Sequence, residues 1–400
     1  MSSDQIIIDA LVSHLPEVAK FEARTRDSQY FPMHFSIPDG VHAHLRSLTA
    51  EHSLFKQQGN THFGAKLLHK NPSQAARLLI NKAVQVGAAS AVDWLTRVYT
   101  IKSAGIRYVT EAFGILMEAP YRLSNGVSFC AFRDIPPSKR AQLFNAHLRT
   151  EAPWFFSGPV TPIAAVYEVA EMAASAKTPS SPRADPIEEA IRAHAIVDDL
   201  AAPYSGESWV EFIDPELEDA NVPLMSSSFS PYDGPSARGF GYTLKMSPDS
   251  VSKVEAILEL PPKLLSKVDV AASRLIMARN RISPANKAID GCICLESLLG
   301  DSQPGELSYK LSLRSALLTA TDLADGLAIR RQVADFYTLR SKAVHGAHKT
   351  KPADSETAAQ GLKICSRVLR KIVELKTIPT WAEYELQDRK YDQAETASRD

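Results

Sequence analysis

The sequence predicts an α+β protein in which a mixed N-terminal region precedes an all-α, up-and-down helical bundle. Two textures carry that prediction. Beyond Pro261, apolar residues recur at spacings of three and four with no strand-like stretch between them. Residues 106–132 are instead rich in β-branched and aromatic side chains and are interrupted by Asn125-Gly126, a turn pair suited to a hairpin. A chain of 400 residues, 44% apolar, is long enough to fill two cores.

Taken in order, residues 4–23 have helical spacing, and so do residues 73–99, which Asn71-Pro72-Ser73 equips with a start. Tyr121-Arg122-Leu123 and Val127-Ser128-Phe129 flank the hairpin turn. Pro136-Pro137-Ser138 opens a further helix, and residues 160–169 read as a strand. Residues 174–186, rich in Ala, Ser and Pro, form a loop or linker before a helix over 187–201. Short strands follow near 209–213 and 241–245, separated by a Ser-, Gly- and Pro-rich loop over 226–241.

The bundle then reads as five helices. Leu264, Val268, Ala271 and Leu275 share one face after Pro261-Pro262. Ser283-Pro284 starts the second helix, with Ala288, Cys292, Leu295 and Leu299 in register. A third spans about 306–321, and a fourth runs over 325–344 with Ile329, Val333 and Phe336 inward. The last carries Ala358, Leu362, Cys365, Leu369 and Ile372. Short connections between successive helices imply the up-and-down arrangement. The expected organisation is therefore residues 1–250 as a mixed region, a possible sensor or targeting domain; 251–380 as the bundle; and 381–400 as an acidic tail.

Charge is unevenly distributed. The whole chain has net charge −1, but residues 261–380 hold 19 Lys/Arg against 11 Asp/Glu, while residues 1–260 hold 23 against 29. The tail holds three against six. A basic module suits a polyanionic partner, although solvated helix faces give the same balance. Cys130, Cys292, Cys294 and Cys365 form no CxxC pair and sit among apolar neighbours, as buried free thiols of a reducing compartment do. No leader-like N-terminus or membrane-length apolar run is visible, so the expectation is a cytoplasmic protein without membrane contact. GxSxG, Walker A and GxGxxG patterns are missing, which leaves hydrolase or dehydrogenase chemistry without a motif. His42 and His44 lie too close to share a helical face and have no acidic partner in metal-ligand spacing; no metal or cofactor is expected.

Polar residues on apolar stripes are the informative ones, because an unpaired charge there is destabilising. Arg340 lies one turn past Phe336, and His345 follows where Gly346 marks the helix end. Glu296 is flanked by Leu295, Leu298 and Leu299, and Arg314 stands between Leu313 and Leu317. Glu296 and Arg314 read as an internal ion pair that fixes helix register. Arg340 and His345 admit two readings: an arginine pinned to a carboxylate with a histidine capping the helix, or a functional pair.

Ala288-Ile-Asp-Gly-Cys-Ile-Cys-Leu-Glu296-Ser-Leu-Leu299 resembles the second-helix signature of Apea-like HEPN domains. Glu306-Leu-Ser-Tyr-Lys-Leu-Ser-Leu-Arg314 resembles the third-helix motif of that group. Phe336-Tyr-Thr-Leu-Arg340-Ser-Lys-Ala-Val-His345-Gly346 is similar to its arginine–histidine–glycine ending. The resemblance covers roughly residues 262–378. It implies a metal-independent endoribonuclease, a toxin or an abortive-infection effector against phage, that acts on RNA as a homodimer with Arg340 and His345 catalytic. Ser341 stands where many active members carry Asn, Asp or His. Ser341, Lys342, His348 and Lys349 are candidate contacts to flanking phosphates, or solvated polar groups at a helix end. A catalytically silent module that binds RNA, a nucleotide or a partner protein, and a regulatory subunit whose Arg–His pair is structural, remain open alternatives. An unknown trigger would act on the N-terminal region.

Overall fold

The computed structural model describes residues 2–25, 37–56, 59–138, 163–177, 186–199, 203–220, 244–301, 306–345 and 351–386. The protein is α+β with a helical C-terminal region. Its first half contains α1 (Ser3–Thr25), α2 (Asp39–Glu51), β1 (Gly59–Phe63), β2 (Lys66–Lys70), α3 (Pro72–Val86) and α4 (Ala88–Thr100). Next come β3 (Ser103–Phe113), β4 (Ile115–Leu116), β5 (Tyr121–Arg122), β6 (Ser128–Ala131), β7 (Ile163–Ala173), α5 (Pro186–Val197), β8 (Tyr204–Phe212) and α6 (Pro215–Ala220). After β9 (Leu244–Lys245) the chain is helical: α7 (Pro248–Leu258), α8 (Pro262–Asn280), α9 (Pro284–Leu299), α10 (Leu307–Thr319), α11 (Leu323–Val344), α12 (Pro352–Leu375) and α13 (Trp381–Leu386).

The chain folds as two compact units interleaved in sequence, whereas the sequence suggested one break near residue 250. One unit comprises Met1–Val109, Val169–Arg183 and Trp209–Ser228; the other comprises Thr110–Glu168, Ala184–Ser208 and Phe229–Asp400. The reason is the course of β3, β7 and β8, each of which passes from one unit into the other along its length. These strands belong to a five-stranded sheet of order β5-β6-β7-β3-β8.

In the first unit α1–α4 and the β1–β2 hairpin enclose a core that includes Leu11, Leu45, Phe63, Leu79 and Leu95. The helical stretch expected over 73–99 is two helices, because Gly87 adopts φ 86°, which a residue with a Cβ resists, and the chain turns there. Asn71 caps α3 by accepting from the Ser73 and Gln74 amides. Helices α2 and α6 were not foreseen from the sequence. α2 buries only Val41, Leu45 and Thr49, too thin a stripe to stand out.

In the second unit the Asn125-Gly126 hairpin forms as expected, with Gly126 at φ 91° and Tyr121 opposite Phe129. β6 then pairs antiparallel with β7, Phe129 opposite Val166. Helix α7, also unforeseen, starts at Ser247, whose hydroxyl accepts from the Ser250 amide. The helix expected after Pro136-Pro137-Ser138 and the loop expected over 226–241 lie outside the described residues, as does most of the 174–186 linker.

The bundle proper is α8–α12, and all of the inward residues named from spacing are buried. α9 packs against α8, α11 and α12. Two glycines permit the closest approach. A Cβ at Gly291 of α9 would stand 2.6 Å from the Phe336 ring, and one at Gly361 of α12 would stand closer still. Phe336 is therefore locked between two helices, and this fixes which face of α11 turns inward one turn later, at Arg340. Among the described residues no helix is long and apolar enough to cross a membrane.

Candidate functional site

Arg340 reaches from α11 toward Glu296 of α9. Its Nη2 stands 3.9 Å from Glu296 Oε1, at the limit of an ion pair, and both side chains keep about a quarter of their surface, 28% and 25%. Arg340 Nε and Glu296 Oε1 are buried with no hydrogen-bond partner. A buried polar atom without a partner is destabilising by ~1–3 kcal/mol, so this pair is held together yet incompletely satisfied. Tyr337 supports the guanidinium from the same helix, with its ring centroid 5.4 Å from Cζ.

Electrostatics agree with an incomplete pair. Loss of solvent around Glu296 raises its carboxyl pKa, and the opposing pull of Arg340 is the smaller effect. One turn back, burial drives the Cys292 thiol well above its usual range, with the Glu296 charge adding to the shift and Arg340 opposing it. Cys292 is thus an inert floor to the pair and no nucleophile. All four cysteines are buried and free.

His345 is the C-terminal cap of α11. Its amide donates to Ser341 O at 3.1 Å, and its imidazole is exposed, with no hydrogen bond to any described residue. Five helical residues turn through about 500°, so Cα directions at Arg340 and His345 diverge by roughly 140°. Accordingly Arg340 turns to the bundle interior and His345 to solvent, and no hydrogen bond or ring contact joins them. Ser341 is partly exposed and Lys342 exposed on the last turn of α11. Gly346, His348 and Lys349 lie outside the described residues.

The expected Glu296–Arg314 ion pair does not form. Arg314 Nη1 donates to Leu299 O, Nη2 to Asp301 Oδ2 and Nε to Glu385 Oε1, each at 2.7 Å. Trp381 lies against the same guanidinium at 5.2 Å. The segment read as an acidic tail thus begins with a short helix, α13, that supplies a partner to a buried arginine. Arg314 sits at the α9–α10 connection, where the Leu299 carbonyl is free to accept, while Glu296 lies one turn earlier on the side of α9 that faces α11. The cationic partner of Glu296 is accordingly Arg340.

His42 and His44 separate as their spacing suggested: His42 Nε2 bonds Ser73 O at 3.0 Å and His44 Nδ1 pairs with His14 Nε2 at 2.9 Å. Among the described residues no group of three or more His, Cys, Asp or Glu side chains is arranged to hold a metal ion. Comparison of the chain with protein-family models, characterised proteins and solved structures finds no match to any of them.

Proposed function

We propose that this chain is a metal-independent endoribonuclease of the HEPN type, working as a homodimer, with Arg340 and His345 carrying the chemistry. The observation behind this reading is the state of Arg340. It is positioned by Glu296 and Tyr337, keeps about a quarter of its side chain in solvent, and its charge is only loosely neutralised. A guanidinium in that state is suited to a phosphodiester, which offers paired acceptor oxygens to its planar fork.

RNA supplies its own nucleophile. A base removes the 2′-hydroxyl proton, the 2′-oxygen forms a bond to phosphorus, and the bond from phosphorus to the 5′-oxygen breaks as an acid returns a proton to it. The products are a 2′,3′-cyclic phosphate and a 5′-hydroxyl. Imidazole titrates near neutrality and serves either role, typically for ~10²–10⁴-fold. Arginine stabilises charge developing on the phosphoryl oxygens. Among the described residues one protomer has a single exposed imidazole at this site, turned away from its own Arg340. A two-fold arrangement of α11 termini supplies both an acid and a base and lets the histidine of one copy face the arginine of the other. A toxin or antiviral role, released by a trigger at the N-terminal region, is consistent with such an activity.

A second reading is a silent RNA-binding module of the same type, favoured by the contact between Arg340 and Glu296 and by Ser341, which supplies no charge next to the arginine. Incubation of the purified chain with mixed RNA in EDTA separates the two. Cleavage lost in both Arg340→Ala and His345→Ala, with 2′,3′-cyclic termini in the wild-type products, supports the nuclease. RNA retained without cleavage supports the silent module, and full activity in His345→Ala removes the mechanism.

A further inference from the structure

Between helices α10 and α11 lies a shallow, solvent-open groove that the catalytic reading does not use. Arg330 and Arg331 line one wall, Tyr309, Ser308 and Ser312 the other, and Leu327 the end nearer the start of α11. Neither arginine has a carboxylate within ion-pair reach among the described residues. Most other arginines of the bundle face carboxylates: Arg274 and Arg281 that of Asp290, Arg314 those of Asp301 and Glu385, Arg367 that of Asp325, and Arg370 that of Asp199, while Arg340 has only its 3.9 Å contact with Glu296. Glu306 is the single acidic residue in the lining and is exposed at the rim. Tyr309 is half exposed, and Arg330 Cζ stands 5.4 Å from its ring centroid. The pair places a guanidinium beside a half-exposed aromatic ring in the groove lining.

The helix period sets the direction in which this groove leads. At 100° per residue, Leu327, Arg331, Ala334, Thr338, Ser341 and His345 fall within about 40° of one line along α11. All six are exposed or partly exposed, and none is acidic. Arg331 and His345 are separated on this line by about 20 Å of helix. The strip therefore joins a basic, aromatic groove at one end to the exposed imidazole at the other.

We infer that the α10–α11 groove is a binding track for single-stranded RNA, with a base stacked on the Tyr309–Arg330 pair and neighbouring phosphates held by Arg330 and Arg331. The strand then follows the Leu327–His345 face toward the candidate catalytic end. Stacking on an aromatic ring beside a guanidinium is tolerant of sequence and demands an unpaired base. Duplex RNA, whose bases are stacked on one another, cannot use it. A protein partner or a second copy of this chain would more readily exploit apolar area, and here it would desolvate two guanidinium groups that form no ion pair among the described residues. This inference rests on the reading of the bundle as an RNA-directed module, and its test separates the two.

The experiment measures binding of labelled single-stranded and duplex RNA to the full chain in EDTA, with His345→Ala as the background so that substrate survives. Tyr309→Ala and the double variant Arg330→Gln/Arg331→Gln are compared with that background, and all of these side chains are exposed enough that thermal melts should be unchanged. The expected result is at least tenfold weaker single-strand binding in each variant, and a log–log salt slope shallower by roughly 1.4 in the double variant. Duplex RNA should bind weakly and be insensitive to Tyr309→Ala. If wild type cleaves RNA but the variants bind single strands as the background does, the track is wrong and the nuclease reading survives. If wild type never cleaves yet binding depends on Tyr309 and both arginines, the track stands and the catalytic reading falls. A concentration-dependent dimer abolished by the double variant, with RNA binding intact, would reassign the groove to self-association and overturn the inference.

Discussion

Arg314 on α10 and Arg340 on α11, both on helix faces that also carry core residues, have met different fates. Arg314 spends three donors on Leu299 O, Asp301 and Glu385 and lies against Trp381, with 5% of its side chain exposed. Arg340 has one carboxylate at 3.9 Å, an orphaned Nε and more than a quarter of its side chain in solvent. The histidines repeat the contrast. His194 is buried between Tyr121 Oη at 2.7 Å and Ala190 O at 2.6 Å, whereas the His345 ring is exposed and bonds no described residue. In each pair one member completes the fold and the other is left with bonding capacity, and only the second kind is available to a ligand.

The contrast breaks first at Arg314. Arg314→Ala strands two carboxylates and a carbonyl and is expected to lower unfolding free energy by about 3 kcal/mol, the low end for a buried pair because Asp301 and Glu385 are partly exposed. Urea denaturation of the full chain reads this directly. His194 gives the next largest effect, through pH. Burial lowers its pKa to about 4 from the usual 6.5, so the folded state prefers the neutral ring. That contribution is complete above the unfolded pKa near 6.5 and is lost as pH falls toward 4, up to ~3 kcal/mol across the window. His194→Gln should flatten the stability difference between about pH 7 and about pH 4.5, beyond any uniform cost of the substitution; an unchanged slope would show that the ring is not the titrating group.

Gly361→Ala sharpens the comparison from the packing side. Its methyl group would enter the Phe336 ring, and overpacking of this kind costs about 1–3 kcal/mol. Phe336→Leu in the same chain should recover part of that loss, and failure to recover it would mean that Phe336 is not the obstacle. Smallest is Arg340→Ala. A long, partly solvated ion pair contributes less than about 1 kcal/mol, so its unfolding midpoint should stay near wild type.

The bundle was legible because its signal is local. Leu264 to Leu275, Cys292 to Leu299 and Ala358 to Ile372 repeat at helical spacing, and each of those residues is buried. The Asn125-Gly126 turn was legible for the same reason. What the spacing could not show was which helices face one another. Glu296 and Arg314 are 18 residues apart and looked like partners, but the chain brings Glu296 to Arg340 and brings Arg314 to Glu385, 71 residues away in a segment that composition marked as a tail. Arg330 and Arg331 carry no signal in the sequence, because a basic dipeptide on a helix is ordinary until the fold places Tyr309 of the neighbouring helix beside it. The interleaving of the two units is likewise set by strands that pair over long separations, a feature without a local code.

The claim that Arg340 is spared by the fold for chemistry meets its most direct test in one preparation of Arg340→Ala, divided between urea unfolding and an RNA-cleavage assay in EDTA. The expected result is an unfolding midpoint close to wild type together with cleavage reduced at least a hundredfold. A midpoint lowered as far as that of Arg314→Ala, with cleavage retained, would contradict it: Arg340 would then be a strut of the bundle like its counterpart on α10.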